Sequence, residues 1–118
     1  MISNDDIEAM TEAPTLTMDV YQQRAVTTAI YKSEHAILYP ALGLAGEAGE
    51  IANKVKKVIR DGTFDREDLA AELGDVLWYV AVLAQDLGVN LGDVAAGNLA
   101  KLKSRKARGT IQGSGDKR

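Results

Sequence analysis

The sequence predicts an all-α protein, a four-helix bundle followed by a flexible C-terminal tail. Apolar residues recur at steps of three and four over four separate stretches, which is the spacing of one helix face. The connections between these stretches are short and contain glycine or helix-capping residues, and short connections favour antiparallel neighbours. No two segments show the alternating pattern that predicts paired β-strands.

The first helix is predicted over about residues 17–31. Thr17 offers a side-chain oxygen for the N-cap, and Asp19 places a negative charge in the first turn, where the helix dipole favours it. A short helix is also expected near residues 5–10. Residues 1–15 are acidic and polar, so we expect no secretory signal there.

The second helix is predicted over about residues 40–60, with Pro40 at its first position and Gly62 just after its end. Its apolar stripe consists of Leu44, Ala48, Ile51, Val55 and Val58. Glycines occupy positions 43, 46 and 49, although each glycine inside a helix costs roughly 1 kcal/mol relative to alanine. Such glycines indicate close helix packing or room for a ligand, and the alternative is that residues 43–49 form a loop.

The third and fourth helices are predicted over about residues 66–87 and 91–107. Asp65 and Asn90 are the expected N-caps, and a glycine follows each helix. The apolar stripe of the third helix consists of Leu69, Leu73, Val76, Val80, Leu83 and Leu87. We therefore expect one all-α domain over residues 1–108, followed by a glycine-rich basic tail over residues 109–118.

Composition excludes several classes of site. The chain of 118 residues has no cysteine, so disulfides and thiolate chemistry are excluded, and its single histidine argues against a zinc site. The sequence has no apolar run long enough to cross a membrane, so a cytoplasmic protein without a membrane partner is expected.

Charge is distributed unevenly along the chain. Residues 101–118 hold one acid and seven bases, whereas residues 1–50 hold eight acids and two bases. A basic tail on an acidic body indicates an anionic ligand, or else a solvated C-terminal segment. The acidic body argues against nucleic acid as a partner.

Two pairs of carboxylates form the candidate site. Glu47 and Glu50 lie three positions apart on the second predicted helix, and Glu72 and Asp75 do so on the third. Each pair projects from one side of its helix beside the apolar stripe, so antiparallel packing can bring the pairs together. Partly buried carboxylates this close require a cation, and oxygen ligands favour magnesium or manganese. The alternative is that each pair is a solvated helix face.

The sequence resembles the MazG-like all-alpha nucleoside triphosphate pyrophosphohydrolases. The resemblance rests on LGLAGEAGEIANK at residues 42–54 and on ELGDVLWYV at residues 72–80. The family signature is Glu-x-x-Glu, a gap and then Glu-x-x-Asp, and the resemblance covers about residues 20–106. It implies the four-helix bundle of the all-alpha NTP pyrophosphatase type.

The resemblance also implies roles for individual residues. Glu47, Glu50, Glu72 and Asp75 would be the catalytic metal ligands, holding Mg²⁺ with Mn²⁺ as a substitute. The implied substrate-binding residues are Lys54, Tyr79, Asn98, Lys101, Arg105, Tyr31 and His35. Lys54 would face the phosphates and Tyr79 the base. Ordinary alternatives are core packing for Tyr79, a surface position for His35, and a solvated stripe or nucleic-acid patch for the basic residues.

The expected reaction is Mg²⁺-dependent cleavage of a nucleoside or deoxynucleoside triphosphate to the monophosphate and pyrophosphate. A homodimer or homotetramer is expected, because relatives assemble and the core is small. We also expect the tail to fold over the triphosphate as a lid, with Lys117 and Arg118 available to the anion; disorder is the alternative. Two other functions stay open: a non-catalytic nucleotide-binding or sensing helical module, and a helical interaction protein.

Overall fold

The fold was analysed in a computed structural model, which describes residues 3–5, 8 and 16–118. This part of the chain has four long α-helices, a short 3₁₀ turn at Ser33–His35 and no strand. The helices are α1 (Met18–Val26), α2 (Leu38–Asp61), α3 (Arg66–Asp86) and α4 (Leu91–Arg108). The predicted all-α class with four helices is confirmed. The short helix expected near residues 5–10 lies largely outside the described residues.

Helix α1 begins as predicted but ends earlier. The hydroxyl oxygen of Thr17 accepts a hydrogen bond from the Val20 amide at 3.1 Å, which is the predicted N-cap. The helix ends at Val26 rather than near residue 31. The hydroxyls of Thr27 and Thr28 donate to carbonyls of the last turn, at 2.6 and 2.7 Å, and so satisfy groups that a continuing helix would use.

Helix α2 begins at Leu38, two residues before the predicted start. Pro40 still lies in the first turn, where a missing N–H costs nothing. The preceding residue, Ile37, has φ 69°, a left-handed conformation that a β-branched residue rarely adopts. Its amide donates to Asp86 Oδ2 at 2.9 Å, so the end of α3 fixes the start of α2. Because α2 is continuous, the alternative of a loop over residues 43–49 is wrong.

Helices α2 and α3 form an antiparallel hairpin, while α1 and α4 pack against the C-terminal part of α3. The described core is small, with buried Ala25, Ala81 and Leu91 in contact. The predicted stripe of α3 is wrong for Leu73 and Leu87, which are 60% and 56% exposed. The buried residues of α3 are instead Ala81, Val82 and Ala84, in the C-terminal part that α1 and α4 cover.

The N-terminus of α4 is capped by α1 rather than by Asn90, which makes no side-chain capping bond. Gln22 Oε1 accepts the Leu91 amide at 2.8 Å, and Asp19 Oδ1 accepts the Gly92 amide at 2.7 Å. The side-chain amide of buried Gln22 also donates to the carbonyls of Ala81 in α3 and Val89 in the connection to α4, so α1, α3 and α4 meet at this residue.

The tail, residues 109–118, has neither helix nor strand and folds back on itself. The Arg118 guanidinium donates to the carbonyls of Thr110, Ile111 and Gly115, at 3.1, 3.0 and 2.7 Å. These donors are used inside the tail, so Arg118 does not present them to an anion in this conformation. Flexibility of the tail and its lid function stay predictions.

Apolar side chains remain uncovered on the hairpin of a single chain. Leu42 and Ile59 of α2 are 73% and 85% exposed, and Pro40 is the buried residue of that helix. Exposure on this scale is typical of an interaction surface. Among the described residues, no helix combines the length and apolarity that crossing a membrane requires.

Candidate metal centre and its surroundings

Three of the four predicted carboxylates come together between α2 and α3. One oxygen each from Glu47, Glu72 and Asp75 lies within 4.8 Å of the others. Glu72 and Asp75 share a face of α3 because they are three positions apart, and α2 delivers Glu47 opposite them. Glu47 and Glu72 are half-buried, and Asp75 is exposed. We call these three residues the carboxylate group.

Glu50 lies outside the carboxylate group. It is exposed on α2, one turn after Glu47. Its charge still acts on Glu47, whose pKa it helps to raise. The structure therefore brings three predicted ligands together and leaves the fourth beside them.

Electrostatics within the group favour a bound cation. The pKa of Glu47 is raised because its protonated form can share a hydrogen bond with Glu72, and burial and nearby negative charges raise it further. The ammonium of Lys54 lowers the pKa of Glu72, the partner in that pair. Glu72 Oε2 is buried and has no hydrogen-bond donor among the described residues. Crowded carboxylates with an unpaired buried oxygen fit a hard divalent cation.

Lys54 is bound to carboxylates on the side of the group nearest the turn. Its Nζ lies 2.8 Å from Glu72 Oε1 and 2.8 Å from Asp68 Oδ2. These two contacts raise the pKa of Lys54, so the ammonium stays charged. Asp68 was not predicted as a site residue, although it precedes Glu72 by one helical turn and therefore shares its face.

Aromatic rings line the other side of the group. Glu47, Asp75, Trp78 and Tyr79 surround an open pocket of about 190 Å³. The Trp78 ring meets the Tyr79 ring edge-on at 5.0 Å, and its indole N–H donates to the Thr28 hydroxyl at 2.8 Å. Tyr79 thus lies beside the carboxylates and packs against α2, and its contact with a base stays a prediction.

The glycines of α2 and α3 differ in what surrounds them. A Cβ on Gly43 would lie 2.1 Å from Tyr79 Cε1, so this glycine permits close contact between the helices. A Cβ on Gly46, Gly49 or Gly74 would meet nothing within 4 Å. Those three glycines leave open space on the helices that carry the carboxylates.

Tyr31 and His35 do not reach the carboxylate group. The Tyr31 hydroxyl donates to Asp86 Oδ2 at 2.7 Å, and its ring stacks on Tyr39 at 4.7 Å. Burial first, and then the neighbouring Tyr39, raises the pKa of Tyr79, so Tyr39 lies between Tyr31 and the pocket. The exposed His35 has Glu34 as its nearest recorded charged neighbour, at 3.7 Å. Sequence spacing gave no signal for the roles of Tyr39 and Asp86.

Two of the three predicted residues of α4, Lys101 and Arg105, contact the tail. Lys101 Nζ lies 2.7 Å from Asp116 Oδ1, and Arg105 donates to the same oxygen at 3.2 Å and to the Asp116 carbonyl. Arg105 is 5% exposed, and Asn98 is exposed on the same helix. Asp116 was missed, although it is the one acid in residues 94–118. Lys101 and Arg105 thus contact this acid in the described conformation.

The fold and the carboxylate group define a class of protein. It is an all-α protein with three carboxylates that could hold a metal ion between two antiparallel helices. The MazG nucleotide pyrophosphohydrolase domain model matches residues 36–109, and the chain belongs to this family. It is 55% identical over 112 residues to the Gene 37 protein of Mycobacterium phage L5, covering 86% of this chain and 98% of that protein. Comparison with solved structures gave no match.

Proposed function

We propose that the protein is a Mg²⁺-dependent pyrophosphohydrolase that cleaves nucleoside or deoxynucleoside triphosphates to the monophosphate and pyrophosphate. One observation carries this proposal beyond family membership. Glu47, Glu72 and Asp75 converge from two helices, and Glu72 Oε2 is left buried without a donor from any of the described residues. A solvated helix face, the ordinary alternative, does not bury an unpaired carboxylate oxygen.

The carboxylate group has the donor set that Mg²⁺ or Mn²⁺ prefers. It offers oxygen and no nitrogen or sulfur, and at least two of its members are half-buried. When bound, such an ion neutralises phosphate charge and lowers the pKa of a coordinated water. Glu47, Glu72 and Asp75 would hold the ion, and Glu50 is our candidate for a further ligand.

The proposed reaction needs no nucleophilic side chain. The oxygen of a water molecule forms a bond to the α phosphorus, and the bond to the oxygen between the α and β phosphorus atoms breaks. Pyrophosphate leaves, and a carboxylate accepts the water proton. Glu50 is the candidate for that acceptor because it is exposed next to Glu47 and outside the carboxylate group. Lys54 would stabilise the charge on the departing pyrophosphate.

We further infer that the active form is a homodimer or homotetramer. The hairpin of one chain leaves large apolar side chains uncovered, and a second copy would bury them. The most exposed of these on α2 and α3 are Leu38, Leu42, Ile59 and Leu73. Light scattering at about 10 µM protein tests the assembly. A monomer would remove this inference and leave the carboxylate site untouched.

The test of activity is pyrophosphate release from a panel of nucleoside triphosphates with about 5 mM Mg²⁺. The wild type is compared with Glu72→Gln, which removes a charge from the carboxylate group, and with Glu67→Gln. Glu67 is a matched control, because it lies on the same helix and is exposed. We expect release by the wild type and by the control but not by Glu72→Gln. The same panel identifies the preferred base and sugar.

Two other outcomes are informative. If no nucleotide is cleaved but Mg²⁺ still raises the melting temperature of the wild type, the protein is a binding or sensing module. If Mg²⁺ stabilises the wild type and Glu72→Gln equally, the carboxylate group does not hold the ion, and the proposed site is wrong.

A further inference from the structure

We propose that Asp68 is a positioning residue. It holds the Lys54 ammonium beside Glu72, so that the ammonium is already in position to bind the phosphates of a metal-bound ligand. This inference rests on the proposed function. Asp68 is outside the Glu-x-x-Asp motif and outside the carboxylate group. It therefore acts through Lys54 and not as a metal ligand.

The geometry places Lys54 between two acids with different surroundings. Its Nζ lies 2.8 Å from an oxygen of each, but the Glu72 side chain is 16% exposed and that of Asp68 is 48% exposed. Asp68 and Glu72 are four positions apart on α3, so one lysine from α2 can contact both. An ammonium has three N–H donors, and these two contacts use two of them.

The division of roles at Glu72 follows from these contacts. Lys54 binds Oε1, and Oε2 is buried and accepts no hydrogen bond within the part of the chain that the structure describes. Glu72 can thus give one oxygen to a cation while the other keeps Lys54 beside it. A phosphate that shares this cation approaches Glu72, where the remaining donor of Lys54 is available.

Asp68 is what makes this position stable. A lysine that contacts a single carboxylate near solvent is held weakly, because such pairs contribute little and cost side-chain entropy. The second carboxylate, one helical turn from Glu72 on α3, holds the ammonium at a second point. Without it, Lys54 would have to be ordered each time a phosphate binds, and affinity for the phosphate would fall.

The test is a double-mutant cycle on Asp68 and Lys54. The probe is inorganic tripolyphosphate with Mn²⁺, measured by calorimetry on the full chain, so that binding is read without turnover. We expect Asp68→Asn to weaken tripolyphosphate binding about three- to tenfold, as befits loss of a partly exposed charged contact. In a Lys54→Met background, the same change should have no further effect.

Matched controls separate positioning from general charge and from folding. Glu67→Gln removes one charge from the same first turn of α3 and should change binding less than about twofold. Asp68→Glu should restore most of the affinity. Mn²⁺ affinity without tripolyphosphate should stay within about twofold of wild type in Asp68→Asn. Circular dichroism confirms that each variant retains its helices.

Three results would overturn the proposal. The first is an unchanged affinity in Asp68→Asn. The second is a loss of tripolyphosphate affinity that persists in the Lys54→Met background. Asp68 would then act through its charge and not by positioning Lys54. The third is a wild type that does not bind tripolyphosphate with Mn²⁺. The proposed function can fail separately. If the protein releases no pyrophosphate from nucleotides while the cycle still shows coupling between Asp68 and Lys54, the proposed function is wrong and the positioning role stands.

Discussion

Replacing Gly43 with alanine should destabilise the protein at the contact between α2 and α3. The added Cβ would lie 2.1 Å from Tyr79 Cε1 and 2.4 Å from Tyr79 Cζ, far inside van der Waals contact. Trp78 meets the Tyr79 ring edge-on and Tyr39 lies beside it, so both limit how far the ring can turn away. The helices must separate, or Tyr79 must leave its place beside the carboxylates.

The magnitude follows from a comparison with Gly46, which lies one turn further along α2. A Cβ on Gly46 meets nothing within 4 Å, so Gly46→Ala keeps only the gain in helix propensity, roughly 1 kcal/mol. Gly43→Ala has the same gain and adds the cost of overpacking, typically about 1–3 kcal/mol. The difference between the two variants is therefore the steric cost alone, about 1–3 kcal/mol. For a chain of this size it corresponds to roughly 4–12 °C in melting temperature.

The assay is thermal and urea unfolding, followed by far-ultraviolet circular dichroism at one protein concentration. We expect Gly46→Ala to melt above the wild type and Gly43→Ala to melt below Gly46→Ala. In a Tyr79→Ala background the clash is gone, so Gly43→Ala should then behave like Gly46→Ala. The reasoning is refuted if the two alanine variants are equally stable when Tyr79 is present.

Three further predictions concern single side chains. Gln22→Ala should cost about 2–4 kcal/mol in urea unfolding, because it leaves the Leu91 amide and buried carbonyls unpaired; a cost below about 0.5 kcal/mol would contradict this. The raised pKa of Glu47 means that its protonation stabilises the metal-free protein at low pH, and this contribution is lost as pH rises from the ordinary value of 4.5 through the raised one. In the presence of a chelator, the melting temperature of the wild type should therefore fall as pH rises, and that of Glu47→Gln should fall less. Two cations of α4 lower the pKa of Asp116, so its contact persists as pH falls past 3.8 and is lost only when pH falls through the lowered pKa. Chemical shifts of the tail amides report this loss, and an identical acid transition in Asp116→Asn would refute it.

Local signals predicted the helices well. The Thr17 and Asp65 caps and the Gly62 and Gly109 ends are present, because each depends on residues within one turn. The carboxylate pairs were also readable, since spacing on a helix fixes the face. The same spacing could not decide which of the four carboxylates would converge, and Glu50 does not join the other three.

Long-range contacts set what the sequence could not predict. The buried side of α3 depends on where α1 docks, and the residues buried there, Ala81, Val82 and Ala84, all lie outside the predicted stripe. Asp68 could not be predicted as a site residue because its role needs Lys54 from another helix. Asp116 could not be predicted because its partners lie on α4. Polar side chains whose partners lie on another helix or segment follow no periodic pattern in the sequence, so spacing cannot identify them.

The capping of α4 by α1 has a consequence for how the chain is assembled during synthesis. The contacts from Gln22 and Asp19 span 69 and 73 residues, so they close the longest loops among the described hydrogen bonds. The hairpin of α2 and α3 joins sequence neighbours and can form early, while distant contacts form slowly. Although α1 leaves the ribosome before the other three helices, the two amides that it caps emerge only with residues 91–92. The nascent chain must therefore keep α1 available while the hairpin folds, and the last helix to be made completes the contacts of the first.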